Sequence, residues 1–324
     1  MGRKSLIILI SYNSEKFIED CLLSVFAQKY RDWFLVVADN GSRDRTVQII
    51  KRVRNFCTEL SSSNFKLIRF SKNLGFSRAI DRVFFKYLEG GKDFSHIVLI
   101  NPDMRLGRNA IGRLVEPLAD GEVGVCGGLI LDYGSNKIQH LGGKISPNFL
   151  TEHIGLGMDY SQLKDQFKQD AQGTARAIRD VTYTTGALFA TSRKLFYGLG
   201  GLDGGYRPAY FEELDYCLKA LRANKRVVVN PLARARHAEA VSSKKYSKKF
   251  YKLYHKNRLR CAVLHAKLFY AGFLKEEGKW LKNQATRDQY WPLALAYAIN
   301  MLLFPLNGAA RIKNHFILNK LQLK

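Results

Sequence analysis

This sequence is short of acid relative to base. Its 324 residues carry 28 Asp and Glu against 52 Lys and Arg, a formal net charge of +24. Such a field favours anionic partners, whether nucleic acid, phosphorylated small molecules or an acidic membrane surface, and does not choose among them. Cysteine is sparse and poorly placed for cross-linking. Cys21, Cys57, Cys126, Cys217 and Cys261 are odd in number, scattered and without a Cys-x-x-Cys pair. This argues against a disulfide framework or a cysteine zinc site and fits reduced thiols in a cytosolic setting. Long apolar runs are missing too. Residues 6–10 are broken at once by Ser11, Tyr12 and Asn13, short of the roughly 7–15 apolar residues of a signal-peptide core. Residues 291–306 are bracketed by Pro292 and Pro305 and fall short of the roughly 20 that span a bilayer, so they read as a buried or interfacial helix. There is no Gly-x-x-x-x-Gly-Lys-Ser/Thr loop, no Gly-x-Gly-x-x-Gly after a strand and no Gly-x-Ser-x-Gly elbow. P-loop, dinucleotide-binding and nucleophile-elbow readings therefore fail.

What remains is an ordinary globular composition, 46% apolar and 25% charged, on a chain long enough to bury a substantial core. The first 130 residues alternate strands and helices. Residues 6–10 read as a strand buried on both faces, and 34–38, 65–70 and 96–100 as further strands. Between them, Phe17, Ile18, Cys21, Leu22, Val25 and Phe26 recur at helical spacing, with Asn13 and Ser14 as N-caps. Val47, Ile50 and Val53 mark a second helix with Ser42 as its cap, and residues 76–88 a third with Ile80, Val83 and Phe84 inward. This rhythm predicts an α/β fold with a doubly wound, mostly parallel sheet and ligands at the carboxyl ends of its strands. Residues 123–145 suggest a hairpin region, 146–178 a variable excursion, 211–223 a strong helix and 226–230 another strand. The domain boundary is expected near Ala240, with a nucleotide-binding half over about 1–130, an acceptor half over 131–240 and a basic, apolar helical extension over 241–324.

Four polar clusters interrupt the scaffold. Asp39-Asn40-Gly41-Ser42 follows the second strand, where a carboxylate can accept hydrogen bonds from a ribose or base; a turn and helix cap explain the same residues. Asn73-Leu74-Gly75-Phe76-Ser77-Arg78 offers close backbone approach at Gly75 and a diphosphate partner in Arg78, or simply a solvated arginine. Asp103, closing Asn101-Pro102-Asp103, suits Mg²⁺ or Mn²⁺, which take few protein carboxylates and fill their shell with phosphate oxygens and water; an Asx-Pro turn is the plainer reading. Glu212, Glu213 and Asp215 at a helix start suit the helix dipole, yet crowding and burial there can raise one carboxylate's basicity toward that of a general base. His237, after a strand, is either structural or a metal ligand.

Taken in order, Ser11-Tyr12-Asn13, Asp39-Asn40-Gly41-Ser42, Asn73-x-Gly75-Phe76, Asn101-Pro102-Asp103, Thr185-Gly186-Ala187, Gly200-Gly201-Leu202-Asp203, Glu212-Glu213-x-Asp215 and His237 resemble family-2 inverting glycosyltransferases over about residues 5–260. The Asn-Pro-Asp form resembles the rhamnosyltransferase-related branch of bacterial polysaccharide enzymes. The resemblance implies a GT-A fold, a UDP- or dTDP-linked sugar donor and a saccharide or lipid-linked acceptor. It implies that Asp39 contacts the base beside Ser11, Tyr12 and Asn13, with Asn73, Gly75, Arg78 and Asn101 completing the donor site. Asp103 stands for the surviving carboxylate of the family's Asp-x-Asp motif and binds the metal, with His237 at a metal or diphosphate contact. Glu213 falls where the general base lies. Two departures matter. Asn101 replaces the first Asp and leaves Asp103 carrying more of the metal; Glu213 stands where Asp is commoner, so Glu212 or Asp215 could share the role.

From Lys244 to Arg260 cations alternate with Tyr246, Phe250, Tyr251 and Tyr254 without an acid. This fits a membrane-surface patch serving a lipid-linked acceptor, hence a cytoplasmic enzyme peripheral at the inner face of the cell membrane, or a solvated helix whose aromatics are core. Nucleic-acid binding would explain the charge but not carboxylates gathered at strand ends. A sugar-phosphate nucleotidyltransferase would need a glycine-arginine-rich loop after the first strand that is missing here. A catalytically inactive scaffold on the same fold stays open.

Overall fold

A computed structural model describes residues 5–57, 64–89, 94–163, 178–238, 247–265 and 272–322. The first half is built as β1 (Ser5–Ser11), α1 (Ile18–Phe26), β2 (Trp33–Asp39), α2 (Thr46–Phe56), β3 (Phe65–Arg69), α3 (Phe76–Glu89) and β4 (His96–Ile100). There follow β5 (Met104–Leu106), α4 (Ala110–Val115), β6 (Val123–Asp132), β7 (Ile138–His140), β8 (Gly143–Ile145) and β9 (Thr151–His153). The remainder is β10 (Arg179–Asp180), β11 (Leu188–Ser192), α5 (Arg193–Gly198), α6 (Glu212–Arg222), β12 (Arg226–His237), α7 (Lys248–Leu264), α8 (Leu274–Asn283), α9 (Arg287–Leu302) and α10 (Phe304–Gln322).

The strands make one sheet in the order β10-β12-β6-β11-β4-β1-β2-β3, with β5 added to β12 and β7 to β6. Pairing is parallel from β4 through β1 and β2 to β3, and between β12 and β6. β11 runs antiparallel between β4 and β6. The beginning of β11 therefore lies at the same sheet edge as the carboxyl ends of β1, β2, β4, β6 and β12. That edge collects the polar clusters.

Period-two alternation explains the two cores. Leu6, Ile8 and Ile10 of β1 face one side with Ile80, Val83 and Phe84 of α3, while Ile7 and Leu9 face the other with Cys21, Leu22 and Val25 of α1. Each such fully buried aliphatic contributes roughly 1.5–3 kcal/mol. The doubly wound α/β expectation holds.

Several local expectations are corrected. β6 is a ten-residue buried strand inside the sheet, so only its end joins a hairpin, with β7. β12 runs on past Asn230 to His237, through a register shift between Asn230 and Arg234. Ser42 does not cap α2, whose first residue is Thr46; its Oγ accepts instead from the Asn13 N–H at 3.0 Å. Asn13 and Ser14 likewise stand ahead of α1, whose first turn has no side-chain cap. The boundary expected near Ala240, with Lys244, Lys245 and Tyr246, lies outside the described residues.

The extension is not a solvated basic helix. In α7, His255, Asn257 and Arg258 are buried, and Arg258 is clamped by both oxygens of buried Glu277 on α8, at 2.7 and 2.6 Å. The aromatics of α7 turn inward too: Tyr254 meets the Phe211 ring, and Phe250 that of Tyr210.

Candidate active site

At the end of β1 and β2, Ser11 and Asp39 are buried side by side, the hydroxyl donating to Asp39 Oδ1 at 3.4 Å. Asp39 Oδ2 accepts from the Ser42 N–H at 3.2 Å, so the turn carrying Gly41 (φ +84°) folds back over the carboxylate. Asn40 reaches across to the next cluster. Its Nδ2 donates to Asn73 Oδ1 and its Oδ1 accepts from the Leu74 N–H, at 3.0 and 2.8 Å, while Asn73 Oδ1 also takes the Gly75 N–H. Asn13 adopts φ +50° and accepts from the Arg43 N–H. Ser11, Asn13, Asp39, Asn73 and Gly75 thus form one hydrogen-bonded rim, with Tyr12 exposed beside it. Arg78 stays exposed on α3 and runs along Gly204, where an added Cβ would meet its side chain at 3.1 Å.

Asp103 and His237, 134 positions apart, come together because β5 pairs with the end of β12. Asp103 Oδ1 lies 3.2 Å from His237 Nε2, and both side chains are largely enclosed. The far ring nitrogen is settled by Gln139, whose Nε2 donates to the His237 carbonyl at 2.9 Å and so turns Oε1 toward Nδ1, 3.0 Å away. With Nδ1 occupied by Gln139, Nε2 is the ring nitrogen that faces Asp103. A lone pair facing a carboxylate oxygen is repulsive unless a cation sits between them, either a proton or a metal ion. The pair therefore fits a divalent ion held by few protein ligands. It is a pair and not a cage: no group of three or more His, Cys, Asp and Glu able to hold a metal occurs among the described residues. An open recess of ≈360 Å³ adjoins it, lined by Asp132, Tyr133, Ser135, Gln139 and His237.

The third part is the start of α6. Glu213 Oε1 accepts from the Gly186 N–H at 3.1 Å, and a Cβ at position 186 would come within 2.3 Å of that oxygen, so only glycine admits the carboxylate. The neighbouring Ala187 carbonyl takes the Asn101 N–H at 3.1 Å. One continuous piece of backbone thus ties the Asn101–Asp103 turn to the Glu213 carboxylate, at the shared sheet edge. Burial raises the Glu213 pKa, and the Gly186 N–H partly opposes this. Glu212 is raised further, by deeper burial and then by the charge of Glu213. Two adjacent acids so placed do not both ionise readily, and the deeper one keeps the proton.

Asp215 is set apart from them. It is fully buried and bonded to Lys219 at 2.6 Å, His265 at 2.8 Å and Tyr206 at 3.2 Å. Burial opposes its charge, but Lys219 and His265 overcome this and hold it ionised well below the usual range. A carboxylate so committed is held by its three partners and is not free to accept a further proton, so the expectation that Asp215 shares a base role does not fit its surroundings.

The sequence reading missed what holds α6 in place. Tyr210 and Phe211 both have left-handed backbones, φ +80° and +76°, which is costly for aromatic residues. Buried Asn257 of α7 donates to the Ala209 and Tyr210 carbonyls at 2.8 and 3.0 Å. Lys256 Nζ donates to the Arg207 carbonyl at 2.6 Å, and Arg260 pairs with Asp203 at 2.6 Å. No local signal marks these residues, since they lie some 45–60 positions away in the basic run.

No curated protein matches the chain. Among solved structures, the chain is similar to GalNAc-T7 with UDP, GalNAc and Mn²⁺ (TM-score 0.60, 16% identity), covering 92% of this chain but only 57% of that one. It is similar to the mannosyltransferase PcManGT from Pyrobaculum calidifontis with GDP-Man and Mn²⁺ (0.55, 18%, 98% of this chain and 81% of that). It is similar also to S. aureus TarS 1-349 with UDP-GlcNAc (0.53, 17%, 98% and 90%). At such identities the likeness establishes the fold, GT-A with a helical C-terminal part. The sequence profile named Glycosyl transferase family 2 matches residues 6–186, more than half of the chain, and the chain belongs to that family.

Proposed function

We propose that the protein is an inverting, metal-dependent glycosyltransferase that moves a sugar from a nucleotide diphosphate onto a hydroxyl of a saccharide or lipid-linked acceptor. The rim of Ser11, Asn13, Asp39 and Asn73 receives the nucleoside, and Arg78 lies within the same edge to meet the diphosphate. Asp103 and His237 would hold Mg²⁺ or Mn²⁺. Bound there, the ion supplies positive charge against the departing diphosphate. Glu213, its basicity raised by burial, takes the acceptor's proton as the hydroxyl attacks the face opposite the leaving group, which inverts the anomeric centre. Glu212, neutral beside it, leaves Glu213 as the ionised member of the pair. The observation that carries this reading is the hydrogen-bonded link from Asn101 through Ala187 and Gly186 to Glu213. It ties the Glu213 carboxylate to the backbone that leads into Asp103 and so supports a shared task for the two. The Asn-Pro-Asp form favours the rhamnosyltransferase-like branch and polysaccharide or lipid-linked oligosaccharide synthesis on the cytoplasmic side.

A thermal-shift screen of UDP-, dTDP- and GDP-linked sugars with and without Mn²⁺ tests the proposal. One donor should stabilise the protein, and only with metal present. Equal stabilisation by every nucleotide without metal would refute metal-dependent donor binding.

A further inference from the structure

The C-terminal helices are amphipathic the wrong way round. Toward the protein, α9 and α10 present Leu293, Ala296 and Leu318 interrupted by three asparagines seven apart, Asn300, Asn307 and Asn314, all buried. Asn300 donates to the Lys256 carbonyl at 3.0 Å, Asn307 donates to Asn300 at 3.1 Å, and Arg260 donates to Asn307. Outward the same helices expose Trp291 (83%), Leu295, Met301, Leu302 (82%), Phe304, Leu306, Ile312 and Phe316. In water this arrangement is costly, since it leaves large apolar side chains wet while polar ones occupy the interior.

No single helix among the described residues is long and apolar enough to cross a membrane; only together do α9 and α10 reach that length and hydropathy, and they are bent against each other by 70° at Leu303. Charge then selects what covers the face. Residues 287–322 contain Asp288 as their one acid, and Arg311, Lys313 and Lys320 are exposed beside the apolar side chains. A second copy would bring the same cations together on a protein already at +24; an anionic bilayer complements them. We infer that α9 and α10 lie in the surface of an anionic membrane, Trp291, Leu302, Phe304 and Phe316 entering the headgroup boundary and Arg311, Lys313 and Lys320 meeting lipid phosphates. This relocates membrane contact from α7, whose aromatics are occupied inside the protein. It also does not depend on the proposed reaction. The inner faces of α9 and α10 bond to the α7 residues Lys256 and Arg260 that brace residues 203–210, so the docked helices are linked through α7 to the start of α6.

The protein reports on itself. It has three tryptophans; Trp33 and Trp280 are buried, and only Trp291 is exposed. Full-length protein should float with phosphatidylcholine vesicles containing phosphatidylglycerol at least tenfold better than with phosphatidylcholine alone, with a blue shift in tryptophan emission that Trp291→Phe removes. Leu302→Glu with Phe304→Glu should abolish flotation, and Arg311→Gln with Lys313→Gln and Lys320→Gln should weaken it tenfold or more, since each cation contributes about fivefold. All five positions are exposed, so an unchanged melting temperature checks the fold. Two results would overturn the inference: absence of flotation and of an emission shift with anionic vesicles, or a vesicle-independent dimer by sedimentation that the Leu302→Glu, Phe304→Glu variant dissociates.

Discussion

The two halves of the candidate site are built differently. The donor rim is local: Ser11, Asp39, Asn40 and Asn73 come from the first 75 residues, sit at strand ends and bond to one another. The base side is assembled from far away, with Glu213 seated on Gly186 before β11 and its helix start held by Asn257 of α7. Strand-end turns preform a ligand rim through nearby backbone, whereas a strained helix start needs a brace from another part of the chain. Damage to α7 should therefore act on catalysis and leave the donor rim intact.

The sharpest break in this comparison is Glu213→Gln. Turnover should fall about 10²–10⁴-fold while donor and Mn²⁺ still stabilise the protein in thermal shift; retained turnover would place the base elsewhere. Next is the clamp beneath α7. Removing one partner of a buried ion pair costs about 3–5 kcal/mol, so Glu277→Ala should lower stability by that order in urea titration. Burial alone would raise the Glu277 pKa, but Arg258, with Asn148 and Tyr297, outweighs it and leaves it lowered. Its contribution is complete above the unfolded carboxyl's value near 4.3 and is lost as pH falls through the lower folded value. Glu277→Gln should flatten that acid limb of stability.

A smaller effect belongs to Asn257→Ala, which frees the Ala209 and Tyr210 carbonyls. A stability loss of about 1–3 kcal/mol should come with reduced kcat and an unchanged donor affinity by calorimetry; an equal loss of donor affinity would mean that the two sides are not separate. Smallest is Glu212→Gln. Because this acid keeps its proton, the amide should preserve turnover within a few-fold, and a collapse would exchange the roles of Glu212 and Glu213.

This contrast also marks what could be read in advance. The α/β rhythm and the strand ends follow from short continuous apolar runs and the polar clusters that interrupt them, whereas a shared place for Asp103 and His237 was implied only by the family resemblance. The surroundings of Asp215 could not be read in advance, because they combine Lys219 on the same helix with Tyr206 in the preceding turn and His265 from a distant helix end, and only the folded chain shows them together. Gln139 and Asn257 carry no motif; their importance lies in one hydrogen-bond geometry each. The exposed face of α9 and α10 was legible as apolar, but which side of the helices turned outward was not.

The central claim is that a divalent ion at Asp103 and His237 and a carboxylate at Glu213 address one bound donor. A crystal structure with Mn²⁺ and the donor found by thermal shift measures this directly through the manganese anomalous signal. The signal should lie between Asp103 Oδ1, His237 Nε2 and the diphosphate, with Glu213 on the opposite face of the anomeric carbon. Manganese bound elsewhere, or a sugar ring turned away from Glu213, would contradict the account.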